Sequence, residues 1–211
     1  MTGSLANMRK NYSQHELDER TADPNPFVQF QSWLDEAQST PLLEANAMVV
    51  ATVDHDGMPS ARTVLLKGFD ERGLVFYSNY DSRKGRDIAA NPAVALVFNW
   101  PTLERQVRMT GTAERTSAEE SNAYFASRPA GSQVGAAASP QSEPVPNRAW
   151  LEARFERFAS QDSPIERPAN WGGYRVIPKM FEFWQGRPNR LHDRLRYDLT
   201  LDGWEIIRLA P

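Results

Sequence analysis

The chain has no cysteine. Disulfides and thiolate metal sites are therefore excluded, and the composition fits a reducing compartment. Neither sign of charge is in large excess. Lys and Arg number 24 against 27 Asp and Glu, for a formal net charge of −3. Such a balance gives no general affinity for nucleic acid, so any bound anion needs a local basic cluster. No apolar run approaches the ~20 residues that span a bilayer. The polar Met1–Arg20 segment lacks the apolar stretch of a signal peptide. These absences predict a soluble, cytoplasmic protein with neither a membrane nor a nucleic-acid partner. Histidine is scarce: His15, His55 and His192 have no metal-site spacing, and no metal is expected. Gly-x-Ser-x-Gly elbows and Gly-rich nucleotide loops are also missing.

What remains is 211 residues with 40% hydrophobic content, enough for one substantial core. Residues 1–24 read as a flexible polar arm, and 25–211 as a single domain. Asn25 and Pro26 open a helix carrying Phe27, Phe30, Trp33, Leu34 and Ala37 at helical spacing. Strands follow at Ala47–Val53, Ser60–Lys67 and Leu74–Asn79, joined by turn signals at 54–57 and 70–73. Ser82 caps a short helix to Ala90, before strands at Ala93–Trp100 and Glu104–Arg115. Thr116-Ser117-Ala118-Glu119 reads as a capping box for a helix to Ser127. Residues 129–146 read as a long loop, and Trp150 to Phe158 as an amphipathic helix. Strands are expected at Gly172–Ile177, Met180–Gln185, Arg190–Leu199 and Trp204–Leu209. The fold class is mainly β with peripheral helices (α+β), an antiparallel barrel whose connections are too short for parallel crossovers.

Basic and aromatic residues cluster near the C-terminus. If residues 190–194 are extended, Arg190, His192 and Arg194 share one face, opposite Leu191 and Asp193. Three such groups repel unless an anionic or electron-rich ligand lies there, and Trp184 stands just upstream. A second set is Arg62, Lys67, Arg83 and Lys84. Arg83 and Lys84 occupy a helix N-terminus, which favours phosphate over cations; a solvated basic face is the bland alternative. In a regular strand Arg62 and Lys67 would point to opposite faces. Tyr124 and Arg128 share a helix face near Ser132, a second phosphate grip or simply a core aromatic and a C-terminal arginine. Gln106, Gln141 and Ser142 say little singly.

Taken together, these residues resemble the pyridoxine (pyridoxamine) 5′-phosphate oxidase family over about Met8–Pro211. The motifs are Ala47–Val53, Val64-Leu65-Leu66-Lys67, Ser82-Arg83-Lys84, Leu103–Val107, Phe183–Gly186, Arg190–Arg194 and Arg208–Pro211. The resemblance implies a homodimeric split β-barrel with FMN between subunits, residues 170–211 contributing to the dimer and the active site. It implies flavin contacts from Arg62, Thr63, Val64, Leu65, Lys67, Tyr77, Ser78, Arg83, Lys84, Gln106, Gln141, Ser142, Trp184 and Arg194. Lys67, Tyr124, Arg128 and Ser132 would hold a substrate phosphate. Arg190 and His192 would be catalytic, over a pyridine ring, with Leu191 beside them. Arg9, Lys10, Asn11 and Tyr12 match a segment that closes over substrate. The implied reaction is oxidation of pyridoxine or pyridoxamine 5′-phosphate to pyridoxal 5′-phosphate. Hydride would pass to the flavin N5, and O2 would be reduced to H2O2. A non-catalytic flavin or pyridoxal phosphate binder and a deazaflavin or haem reductase are the alternatives. Arg187-Pro188-Asn189 departs from the family pattern.

Overall fold

The computed structural model describes residues 4–7, 10–161 and 163–211. Helices are α1 (Pro26–Gln38), α2 (Arg83–Ala90), α3 (Ala118–Ser127), α4 (Ala130–Ala138) and α5 (Arg148–Ala159). Strands are β1 (Ala47–Val53), β2 (Pro59–Leu65), β3 (Gly68–Asp70), β4 (Gly73–Asn79), β5 (Ala93–Trp100), β6 (Arg105–Arg115), β7 (Trp171–Gln185), β8 (Asp193–Thr200) and β9 (Gly203–Arg208). They hydrogen bond in the order β2-β1-β5-β6-β7-β4-β3, with β8 on β7 and β9 on β8.

The chain divides into two compact units, each discontinuous in sequence. The first comprises residues up to Val49, Leu96–Thr110 and Pro178–Pro211. Here Asn25 accepts the Phe27 N–H and starts α1 with Pro26 in its first turn. The α1 stripe of Phe27, Phe30, Trp33, Leu34 and Ala37 is buried. Phe27 meets Phe181 edge-on at 5.1 Å, Phe30 meets Phe98 at 5.0 Å, and Trp33 meets Phe183 at 5.2 Å. Each such buried ring contributes about 2–3 kcal/mol by leaving water. β7, β8 and β9 form an antiparallel run with Phe183 opposite Leu195 and Tyr197 opposite Ile206.

The second unit comprises Val50–Ala95 and Gly111–Ile177. β4 pairs with β7, with Phe76 opposite Tyr174 and Tyr77 opposite Gly173. Phe76, Leu74 and Val176 are fully buried. Gly73 turns β3 into β4 at φ 134°, a conformation that favours glycine, and a Cβ there would lie 2.1 Å from the Val176 carbonyl oxygen.

Several expectations change. The strand expected over Ser60–Lys67 stops at Leu65, so strand parity does not separate Lys67 from Arg62. The capping box is Ser117 with Glu120, one residue later than the sequence predicts. The 129–146 loop contains α4. The two strands expected over 172–185 are one, β7, running through Pro178. Arg190 is not in a strand: it ends a 3-10 turn, Pro188–Arg190, with φ 63°. Of the three residues expected on one extended face, only Arg194 lies in β8.

Candidate functional site

Two cavities gather most of the expected residues, one in each unit. The cavity of the second unit measures about 800 Å³. It is lined by Arg62, Thr63, Val64, Leu65, Lys67, Tyr77, Ser78, Arg83, Lys84, Tyr124, Arg128, Ser132, Gln141 and Ser142. Ser60, Ala61 and Pro129, which sequence reasoning missed, complete it. Ser60 had a signal: it is two residues from Arg62 on the same strand face, and Arg62 Nη2 donates to its Oγ at 2.7 Å.

The floor is unusually cationic. Ser82 caps α2 by accepting the Gly85 N–H, which places Lys84 inside the fold. Lys84 Nζ donates to Ser78 Oγ at 2.9 Å and Ser82 Oγ at 3.2 Å. Among the described residues it has no carboxylate partner. Burial, with Arg62 nearby, pushes its pKa down to about 8. Arg62 Nη1 donates to Thr52 Oγ1 at 2.7 Å, and Asp87 stands 3.7 Å from Nη2. Arg83 is half exposed, 3.8 Å from Asp54. Gln141 is drawn in as its Oε1 accepts from Ser78 Oγ at 3.2 Å.

At the other side of this cavity Tyr124 stacks on Tyr77, ring centroids 3.8 Å apart. The Arg128 guanidinium lies 4.7 Å over the Trp171 ring. Its Nη1 is buried with no hydrogen-bond partner, the only such side-chain atom among the described residues. An unpartnered guanidinium nitrogen and a buried ammonium without a counterion call for anionic oxygens. The cavity therefore fits a phosphorylated ligand.

The first unit's cavity measures about 470 Å³ and is lined by Lys10, Asn11, Tyr12, Arg187, Asn189, Arg190 and His192. Tyr12 meets Trp184 edge-on at 5.8 Å and His192 at 5.7 Å, and Trp184 meets His192 at 4.6 Å. The His192 pKa lies below the ordinary value, through burial first and the Arg190 charge second. Leu191 is exposed and lines neither cavity. Gln106 is half-buried in β6 and also lines neither. Arg194 is engaged by Glu182, Nε to Oε1 at 2.9 Å, and by the Ala210 carbonyl. Arg9 lies outside the described residues. Sequence reasoning missed the buried carboxylates Asp87, Glu104 and Glu182. Nothing in their local pattern marks them as buried; Glu182 alternates with Phe181 and Phe183 as an exposed strand residue would.

Residues 34–162 match the family described as pyridoxamine 5′-phosphate oxidase. Residues 171–211 match the pyridoxine 5′-phosphate oxidase C-terminal dimerisation region. The chain belongs to the pyridoxamine 5′-phosphate oxidase family. The pyridoxine/pyridoxamine 5′-phosphate oxidase of Burkholderia multivorans is 58% identical over 215 residues, covering 99% of both chains. That of Rubrobacter xylanophilus is 58% identical over 98% of this chain and 96% of its own. These relatives are oxidoreductases, and so is this chain. Among solved structures, PhzG from Burkholderia lata with tetrahydrophenazine-1-carboxylic acid superposes with a TM-score of 0.88. It is 27% identical, over 93% of this chain and 98% of that one. A pyridoxamine 5′-phosphate oxidase-related, FMN-binding protein from Nostoc punctiforme gives a TM-score of 0.73 at 20% identity, over 93% of this chain and 100% of that one, and shares the fold. The mainly β fold with added helices is the split-barrel class of this family. No helix among the described residues is long and apolar enough to cross a membrane.

Proposed function

We propose that this protein oxidises pyridoxine 5′-phosphate or pyridoxamine 5′-phosphate to pyridoxal 5′-phosphate with FMN as cofactor. The observation that carries the reading is the second unit's cavity, where, among the described residues, Lys84 lacks a carboxylate and Arg128 Nη1 lacks any hydrogen-bond partner. Two phosphates are called for. Arg62, Ser78, Arg83 and Lys84 would hold that of FMN, with the α2 N-terminus adding its dipole. Lys67, Tyr124, Arg128 and Ser132 would hold that of the substrate, each offering a donor.

The alcohol becomes an aldehyde by loss of two electrons and two protons, and O2 takes both pairs to become H2O2. For the amine the first product is the imine, which water converts to aldehyde and ammonia. FMN supplies the two-electron acceptor that no side chain provides. The protein's part is to hold and to polarise. Arg187 N–H occupies His192 Nδ1, so a neutral His192 presents Nε2–H as a donor. Arg190 and His192 would then steady negative charge on the substrate as its proton leaves. Gln106, Trp184 and Arg194, which do not line the cavity with Lys84, would contact the flavin in an assembled dimer. The match of 171–211 to a dimerisation region supports a homodimer.

The test is spectroscopic. Protein supplied with FMN should bleach at the flavin band when pyridoxine 5′-phosphate is added anaerobically, and should yield H2O2 when air is admitted. A protein that binds no FMN, or binds it without bleaching, overturns the reading.

A further inference from the structure

Glu104 is a buried carboxylate that serves the N-terminal segment. Its side chain is 1% exposed, and one oxygen meets Lys10 Nζ at 3.1 Å. The other accepts the N–H of Ser13 at 2.8 Å and of Gln14 at 3.3 Å. Burial works to raise its pKa, but Lys10 and the two N–H groups outweigh it and hold the carboxyl below its ordinary value. The residue adopts φ 56°, a left-handed conformation that a glutamate rarely takes. Its backbone is pinned there, because its carbonyl accepts from Gly186 N–H at 2.7 Å and Gln185 Nε2 at 3.3 Å.

Gly186 forms the rest of the seat. A Cβ at this position would lie 2.7 Å from Tyr12 Cγ and 3.0 Å from Glu104 Cβ. The missing side chain leaves a notch that the Tyr12 ring fills, edge-on to Trp184 and beside His192. Strained backbone and a buried charge are both disfavoured unless something is gained. Among the described residues, the hydrogen bonds and the ion pair of this carboxylate go to Lys10, Ser13 and Gln14.

We propose that Glu104 is a positioning residue for the reaction, docking residues 10–14 so that Tyr12, seated at Gly186, forms a wall of the Arg190–His192 cavity. The inference rests on the reading of that cavity as the substrate's ring site. Glu104 touches neither Arg190 nor His192; it acts through the segment it holds.

Two measurements on the full-length, FMN-loaded protein test it. Glu104→Ala should speed hydrogen exchange at the Ser13 and Gln14 amides at least tenfold. It should also lower kcat/KM for pyridoxine 5′-phosphate about ten- to hundredfold, mostly through KM, as expected for losing hydrogen bonds to a charged group. Glu104→Gln keeps an acceptor for the N–H groups but loses the charge opposite Lys10, and should fall between. In a Tyr12→Ala background the Glu104→Ala penalty should shrink to under about threefold, because both act through one segment. Unchanged exchange in both Glu104 variants overturns the docking. An equal kinetic penalty with and without Tyr12 overturns the positioning role. If Glu104→Ala does not fold, Glu104→Gln decides by the same two criteria. If wild-type protein does not turn over the phosphate ester, the functional reading and the positioning role fall together, and exchange alone decides the docking.

Discussion

The backbone N–H of Arg187 donates to His192 Nδ1 at 3.0 Å. The acceptor nitrogen cannot carry the proton of the neutral ring, so the proton sits on Nε2. Burial and Arg190 both disfavour a second proton. The neutral Nε2–H tautomer should therefore dominate at pH 7, with a titration midpoint below 6.5. Nitrogen-detected NMR of labelled protein reads both, and a midpoint above 6.5 would contradict the geometry. The sign for stability follows. The unfolded ring takes its proton first as pH falls, so this contribution is full above pH 6.5 and is lost as pH falls through the lower folded-state value.

Lys84 sets an opposite pair of trends on the alkaline side. Its pKa near 8 means that its charge fades as pH rises past that value. FMN affinity, followed by flavin fluorescence quenching, should weaken by roughly tenfold between pH 7 and 9.5, the scale of one charge-assisted contact. Stability of the FMN-free protein should rise over the same range, because the unfolded lysine still binds a proton up to about 10.5. Lys84→Met should flatten both trends.

Arg128 stacks on Trp171, and its Nη1 has no hydrogen-bond partner among the described residues. A lysine keeps the charge but loses the planar fork and the stack. Arg128→Lys should raise KM for pyridoxine 5′-phosphate by roughly tenfold or more while leaving any turnover of unphosphorylated pyridoxine unchanged. Equal loss with both substrates would remove Arg128 from the phosphate grip.

Gly85 lies in the first turn of α2, where a Cβ would stand 2.0 Å from the Tyr80 carbonyl oxygen. That oxygen is backbone and has little room to move. Gly85→Ala should cost about 2 kcal/mol or more, lowering Tm by roughly 4–8 °C. Calorimetry checks this. FMN should weaken in parallel, since the same turn carries Arg83 and Lys84.

Local signals that fold without help were legible. Asn25-Pro26 and Ser82 mark helix starts, and the β-branched run of β1 and the apolar and aromatic run of β4 mark strands, because caps and strand propensity act over a few residues. α4 was not legible. Its sequence, Ala-Gly-Ser-Gln-Val-Gly-Ala-Ala-Ala, follows a proline and has little apolar contrast, so it reads as loop until α5 packs on it. From sequence β7 reads as two strands on either side of Pro178, since proline lacks an N–H for a ladder. Pairing with β4 extends to Val176 and pairing with β8 begins at Met180, so Pro178 falls where the strand changes partner.

The sequence by itself determined the phosphate-seeking residue types and the family they belong to, since those reside in side-chain chemistry and in the order of motifs. Only tertiary structure decided which residues meet. Arg190 ends a turn at positive φ and Leu191-His192 precede the strand, so period-two alternation does not apply to them. Asp87, Glu104 and Glu182 found hydrogen-bond partners for their buried carboxylates 35, 90 or 91, and 12 or 74 residues away, distances over which no local pattern carries information.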